Sequence, residues 1–265
     1  MSFAPILPMS GYAGWMFLKR TAATQLAAFA GQTSVAKDSA YFREKIGGIN
    51  SAEEMVNDHR MLRVALSAYG LEADLPNKFF IQKVLQDGTL DPKALSNRLA
   101  DKRYAEFSKA FGFGDFSTPR TKLSDFADKL LKKFVEKQFQ TSVGEQKPSF
   151  RIAMNAETHL KDLARSSSAE SSKWFTVLGS PPLREIFEKA FGLPSAFAAI
   201  DLDKQIAILQ VRTRSAFGSV EISQFADDEK INKLVRMYVI RSEIADYVPN
   251  VSRGQIALTL LQQGA

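Results

Sequence analysis

Four short segments, "SAYGL" at 67–71, "KAFGF" at 109–113, "KAFGL" at 189–193 and "SAFGS" at 215–219, each close an apolar-periodic run with Ala-aromatic-Gly. Glycine adopts the left-handed backbone conformation without a Cβ penalty, so a glycine just past an amphipathic run ends a helix. Leu71, Phe113 and Leu193 then fold back on the last turn, whereas Ser219 supplies no apolar contact and makes the fourth stop the weakest. The glycines are irregularly spaced, which excludes a solenoid of constant period. A chain punctuated in this way is a succession of helices.

The runs between the stops keep the helical period. Met55, Met61, Leu62, Ala65, Leu66 and Tyr69 recur at steps of three and four, with Ser51 as N-cap and Glu53 and Glu54 in the first turn. The stretch 76–88 begins at a proline and stops at Gly88. Residues 89–112 read as one helix capped by Asp91, with Leu95, Leu99, Tyr104 and Phe107 on one face. Residues 121–144 read as a long helix with Leu123, Phe126, Leu130, Phe134 and Phe139 inward. Further helices fall at 149–166, 181–194, 201–218 and 227–248, and the tail 251–265 reads as a final short one. No Val/Ile/Thr alternation bounded by hairpin turns is found, so the sequence predicts an all-α, multi-helix globular bundle.

Residues 1–40, proline- and glycine-broken and then Ala/Thr-rich, read as an N-terminal arm that packs on the body or extends from it. Residues 41–265 form the helical domain, with candidate halves 41–120 and 121–265. Each half contains a helix, an aromatic-Gly-Leu stop, a short extended link and another amphipathic helix, an order that a distant duplication would leave.

Composition removes several function classes. With no cysteine among 265 residues there is no disulfide, thiolate nucleophile or Cys-ligated metal. No apolar tract reaches the ~20 residues of a membrane span, and the N-terminus lacks the basic-then-apolar order of a secretory signal. The net charge of +6 is spread thinly along the chain, so no nucleic-acid footprint is expected.

Short motif matches have ordinary readings. "VLQDGTLDP" (84–92) resembles a phosphatase Asp-x-Asp-Gly-Thr loop, but Leu85 stands where the nucleophile belongs. "SVAK" (34–37) lacks the companion elements of Ser-x-x-Lys enzymes. The carboxylates of "DLD" (201–203) precede a helix and read as a cap rather than a magnesium site. His59 and His159 have no metal-ligand spacing around them. No cofactor is expected. An enzyme or ligand binder would have to assemble its site from distant helices, around these histidines or the Arg/Asp pairs of "RLADKRY" (98–104).

Two segments suit protein partners. Phe3, Ile6, Leu7, Tyr12, Trp15 and Phe17 make a dense apolar cluster in the arm, and Trp and Tyr are favoured interface anchors. Lys129, Lys132, Lys133 and Lys137 lie opposite Leu130, Leu131 and Phe134 on one helix, the pattern of a docking or interfacial helix. The ordinary readings are a strap packed on the body and a solvated charged face.

The blocks "SGYAGWMFLKRT", "YFREKIGGINSAEEMVNDHRMLRVALSAYGL", "KFFIQKVLQDGTLDPKALSNRLADKRYAEFSKAFGFGD", "WFTVLGSPPLREIFEKAFGLP" and "IDLDKQIAILQVR" together resemble the alphaproteobacterial domain-of-unknown-function family 1217, whose members are often encoded near flagellar genes. The resemblance covers almost the whole chain and carries over no catalytic residue. It implies a bacterial, mostly helical protein linked to flagellar assembly or motility. With no catalytic constellation and two candidate partner segments, the expectation is a non-enzymatic interaction protein with a flagellar component as partner, in a structural, assembly or chaperone-like role; the alternative is the enzyme or ligand binder with a site assembled from distant helices. The expected compartment is the cytoplasm, with signal-independent export to the basal body as the alternative.

Overall fold

The computed structural model describes residues 3–99 and 101–247, so the tail expected as a last helix lies outside the described residues. Thirteen α-helices and no strand are found among the described residues, as the periodicity predicts. The chain divides into two compact units, Met1–Leu7 with Leu18–Gln146 and Pro8–Phe17 with Lys147–Ala265. The division falls at 146/147 rather than 120/121.

Residues 1–40 are not one arm. Helix α1 (Gly11–Ala30) gives its first residues to the second unit and the rest to the first, and α2 (Thr33–Ile46) runs through position 40. Glycines that read as breakers are sites of close approach instead: a Cβ on Gly14 would lie 2.1 Å from the Met9 carbonyl oxygen.

In the first unit, the run expected as one helix over 52–69 is two. Helix α3 (Ala52–Asn57) is capped by Ser51, whose side chain accepts from the Glu54 N–H at 3.1 Å. Asp58 interrupts it in an extended conformation and caps α4 (His59–Tyr69), accepting from the N–H groups of Arg60 (3.0 Å) and Met61 (2.9 Å). From Met61 to Tyr69 every residue except Arg63 is buried, so α4 is the central helix of its unit and packs against α2, α3 and two helices that follow. Its end is a Schellman stop: Gly70 sits at φ 68°, and the Leu71 N–H reaches back to the Leu66 carbonyl at 2.9 Å.

Helix α5 (Lys78–Asp87) ends at Gly88. The helix expected over 89–112 is broken into two short ones, because Asp91 caps only a turn while Ser96 Oγ and Asn97 Nδ2 bond the carbonyls of Gly88 and Thr89. Only α6 (Leu95–Arg98) and α7 (Arg103–Phe111) form. Gly112 stops α7 at φ 69°, and Phe113 stacks back on Phe111 at 5.6 Å. Two glycines bring the α5 and α7 stops together: a Cβ on Gly114 would lie 2.4 Å from the Gly88 nitrogen. Asp115 fixes the pair, accepting from the Thr89 N–H (2.5 Å), Thr89 Oγ1 (2.8 Å) and the Leu90 N–H (3.0 Å). Helix α8 (Phe126–Gln146) packs on α4 and buries Phe126, Leu130, Phe134 and Phe139 as expected, while Leu123 precedes it and is exposed.

The second unit is built on α9 (Pro148–Arg165), α10 (Glu170–Gly179), α11 (Pro181–Phe191), α12 (Leu202–Phe217) and α13 (Asp228–Tyr247). Helices α9, α11 and α13 pack on one another around Phe150, Phe187 and Tyr238. Rings of Trp174, Phe187, Phe225 and Phe217 follow edge to face at 5.1–5.6 Å. A buried Lys173 donates to the Ala164 carbonyl at the end of α9 and to Glu170 at 3.0 Å, and Glu170 accepts from the Ile222 N–H at 2.6 Å. Gly192 and Gly218 stop α11 and α12 in the left-handed region, and the Leu193 N–H closes the Gly192 stop on the Glu188 carbonyl at 2.9 Å. As Ser219 implied, no corresponding bond back to α12 is made after Gly218 among the described residues.

Three glycines should respond differently to alanine in thermal unfolding. Gly47, at φ −63° with open space around its Cβ position, should stabilise the protein by about 0.5–1 kcal/mol when replaced. Gly218→Ala has equally open space but φ +88°, and should cost about 1–2 kcal/mol. Gly88→Ala should cost most, since its Cβ would meet Asp115 Oδ1 at 2.2 Å.

Burial raises the Asp115 and Glu170 carboxyls, but the hydrogen bonds they accept outweigh it and hold both below their ordinary values of 3.8 and 4.5. A depressed folded-state value means that this stabilisation is complete above those pH values and is lost as pH falls through the lower folded values. Asp115→Asn should therefore flatten the acid limb of a stability-against-pH curve below pH 3.8. An unchanged limb would show that Asp115 does not carry it.

Candidate functional site

The arm residues are distributed between the two units. In the first, glutamines hold the extended segment by its backbone: Gln25 accepts from the Ile6 N–H (2.7 Å) and donates to the Ile6 carbonyl (3.1 Å). Gln32 donates to the Phe3 carbonyl (2.5 Å) and Gln146 to that of Pro5 (2.8 Å). Phe3 and Leu7 are half-buried and Ile6 is exposed. In the second unit the Arg236 guanidinium lies 5.2 Å from the ring of the half-buried Tyr12. Phe17 is half-buried, whereas Trp15 is 2% exposed and edge-on to Phe150 at 5.8 Å. Trp15 is therefore a core residue, and the reading of it as a partner anchor is corrected: its ring is already buried within its own chain.

On α8, Lys129 and Lys132 are exposed, Lys133 reaches the Tyr69 ring at 4.7 Å and Lys137 is half-buried. Lys129 pairs with Asp125 at 2.5 Å, and Asp128 on the same helix pairs with Arg43 at 2.5 Å. Acids thus interleave the lysines, which weakens the positive field of this face.

The groups considered for a ligand site serve helix ends. Within "RLADKRY", Asp101 and Arg103 form an ion pair at 2.6 Å, and Arg103 donates to the Gly70 carbonyl beyond the end of α4. Tyr104 donates to Asp74 at 2.5 Å, and burial together with this bond pushes its hydroxyl up to about 12. Asp201 caps α12, accepting from the Asp203 N–H (3.0 Å) and the Lys204 N–H (3.3 Å). Leu85 is buried inside α5, Ser34 and Lys37 are exposed on α2, His59 is exposed on α4 and His159 is half-buried on α9. Among the described residues, no three His, Asp or Glu side chains come together as a metal site.

The surface that sequence reasoning missed is on α12. Its buried stripe is Gln205, Leu209, Thr213 and Phe217, spaced by four, so polar side chains fill two core positions. Gln205 donates to the Ile200 carbonyl at 2.7 Å, while its Oε1 and Thr213 Oγ1 have no partner among the described residues. Aliphatic residues stand on the other side of the helix: Ile208 is 36% exposed and Val211 68%. Ala207, Gln210, Val211, Arg214, Ser215 and Val220 line an open cleft of about 470 Å³. The available signal was a mismatch in the sequence, since Ile206, Ile208, Leu209 and Val211 cannot share one helical face.

A family model described as Protein of unknown function (DUF1217) matches residues 68–231. Among solved structures, the crystal structure of a protein from Agrobacterium tumefaciens is similar, with 26% sequence identity and a TM-score of 0.75 over 92% of this chain and 100% of that one. No curated protein matches.

Chemical unfolding separates the structural from the exposed arm residues. Trp15→Ala should cost about 3–5 kcal/mol, the range for emptying a buried aromatic site. Ile6→Ser should stay within about 0.5 kcal/mol, because its side chain is exposed and its tether is backbone.

Proposed function

The chain belongs to the DUF1217 family of proteins of unknown function, and from that premise we propose that it is a non-enzymatic helical interaction protein acting with a component of the bacterial flagellum. Its role is structural, assembly-related or chaperone-like. The carrying observation is the outward side of α12, where aliphatic side chains face solvent while the buried stripe holds Gln205 and Thr213. Exposed aliphatic residues grouped along one helix beside a cleft suit a partner surface. The flagellar partner rests on the resemblance to a family often encoded near flagellar genes. No described helix is long and apolar enough to cross a membrane. The proposed place of action is the cytoplasm, with the basal body as the alternative.

A tagged full-length chain recovered from motile cells should carry a flagellar component with it. Val211→Asp should reduce that recovery about tenfold while leaving the thermal unfolding curve in place, because position 211 is exposed. Recovery of no flagellar component, together with normal motility in a deletion strain, would sink the proposal.

A further inference from the structure

We infer that the outward side of α12 receives one acidic amphipathic helix of a partner protein, an inference that rests on the reading of α12 as an interaction surface and names the chemistry of its occupant. Ala207, Ile208 and Val211 form a short aliphatic strip along the helix, with Lys204 one turn earlier and Ser215 one turn later. At 100° per residue, Arg212 flanks the strip on the Ile208 side and Arg214 on the Ala207 side. All three cations are on the exposed side, and none forms an ion pair with another described residue. The acids of this helix lie in or before its first turn, where Asp201 is occupied as the cap.

An aliphatic strip between cations selects its complement, a row of leucine-like side chains flanked by carboxylates. The cleft of about 470 Å³ beside the strip adds Val220 to its apolar lining. A nucleic-acid strand would satisfy the cations but leave the strip in water, because α12 presents no aromatic ring among its exposed residues on which a base could stack. The strip therefore decides for a helix over a polyanion.

The test uses the full chain and a fluorescein-labelled synthetic peptide of about three heptads, leucine at the two core positions and glutamate elsewhere on the flanks. The comparators are the same peptide with lysine for glutamate and a single-stranded RNA. Fluorescence anisotropy should show the glutamate peptide binding at least about tenfold more tightly than the lysine peptide, and less tightly as salt rises. Val211→Asp should weaken it about tenfold, and Arg212→Glu with Arg214→Glu should transfer the preference to the lysine peptide. Phe79→Ser, at an 84% exposed site in the other unit, should leave it unchanged. Equal affinity for the two peptides, indifference to Val211→Asp, sensitivity to Phe79→Ser, or RNA binding that displaces the peptide would each overturn the inference. If the glutamate peptide fails to bind while Val211→Asp still reduces recovery of the flagellar component, the acidic-helix inference falls and the interaction reading stands.

Discussion

Carbonyl groups at the ends of the central helices are the constraint around which each unit is arranged. A helix end leaves its last carbonyls without an intrahelical partner, and one left unpaired away from water costs on the order of 1–3 kcal/mol. Helices α4 and α11 meet this cost alike. A left-handed glycine turns the chain, the next residue is a leucine whose N–H closes on the last turn, and a later helix sends an arginine onto the carbonyls. Arg103 of α7 reaches Gly70 in the first unit, and Arg241 of α13 reaches Ala190 at 2.5 Å in the second. The guanidinium satisfies hydrogen bonds and also meets the negative end of the helix dipole. It thereby places α7 against α4, and α13 against α11, within their respective units.

The order of elements after each stop is also shared. A 3₁₀ turn and another helix follow Gly70, ending in α5, and the same follows Gly192, ending in α12. The two helices differ in what they cover. Helix α5 buries Ile81, Val84 and Leu85, whereas α12 offers its unit Gln205, Leu209, Thr213 and Phe217. Aliphatic residues that would fill a core in the first arrangement stand outside it in the second. This contrast, rather than any single unusual side chain, leaves aliphatic side chains of α12 facing solvent.

The legible part of the fold was the part encoded by local backbone chemistry. Gly70, Gly112, Gly192 and Gly218 stop helices because positive φ is a property of one residue, readable without knowing its neighbours. Asp58 was illegible as a break because the apolar period continues across it, and only its cap bonds with Arg60 and Met61 divide the helix. The stretch 89–102 misleads for a related reason: Asp91 and Pro92 are good helix starters, but Ser96 and Asn97 are committed to carbonyls eight residues earlier, and only the short α6 forms there. Trp15 looked like an anchor because aromatic density does not reveal whether a ring's partner is its own chain. The arginine clamps and the α12 face depend on contacts or exposure set by the fold, which spacing alone does not contain.

The shared helix α1 has a consequence for how the polypeptide is made. Trp15 leaves the ribosome before most of the first unit, yet Phe150, on which its ring packs, is synthesised only after it. At roughly 5–20 residues per second, the N-terminal segment waits on the order of ten seconds for its binding partner. During that interval the rest of the first unit can assemble, while an apolar indole stays exposed to chaperones and to neighbouring nascent chains. The order of synthesis and the order of packing are therefore out of step, and the second unit closes only when a segment made before most of the first unit meets residues made after it.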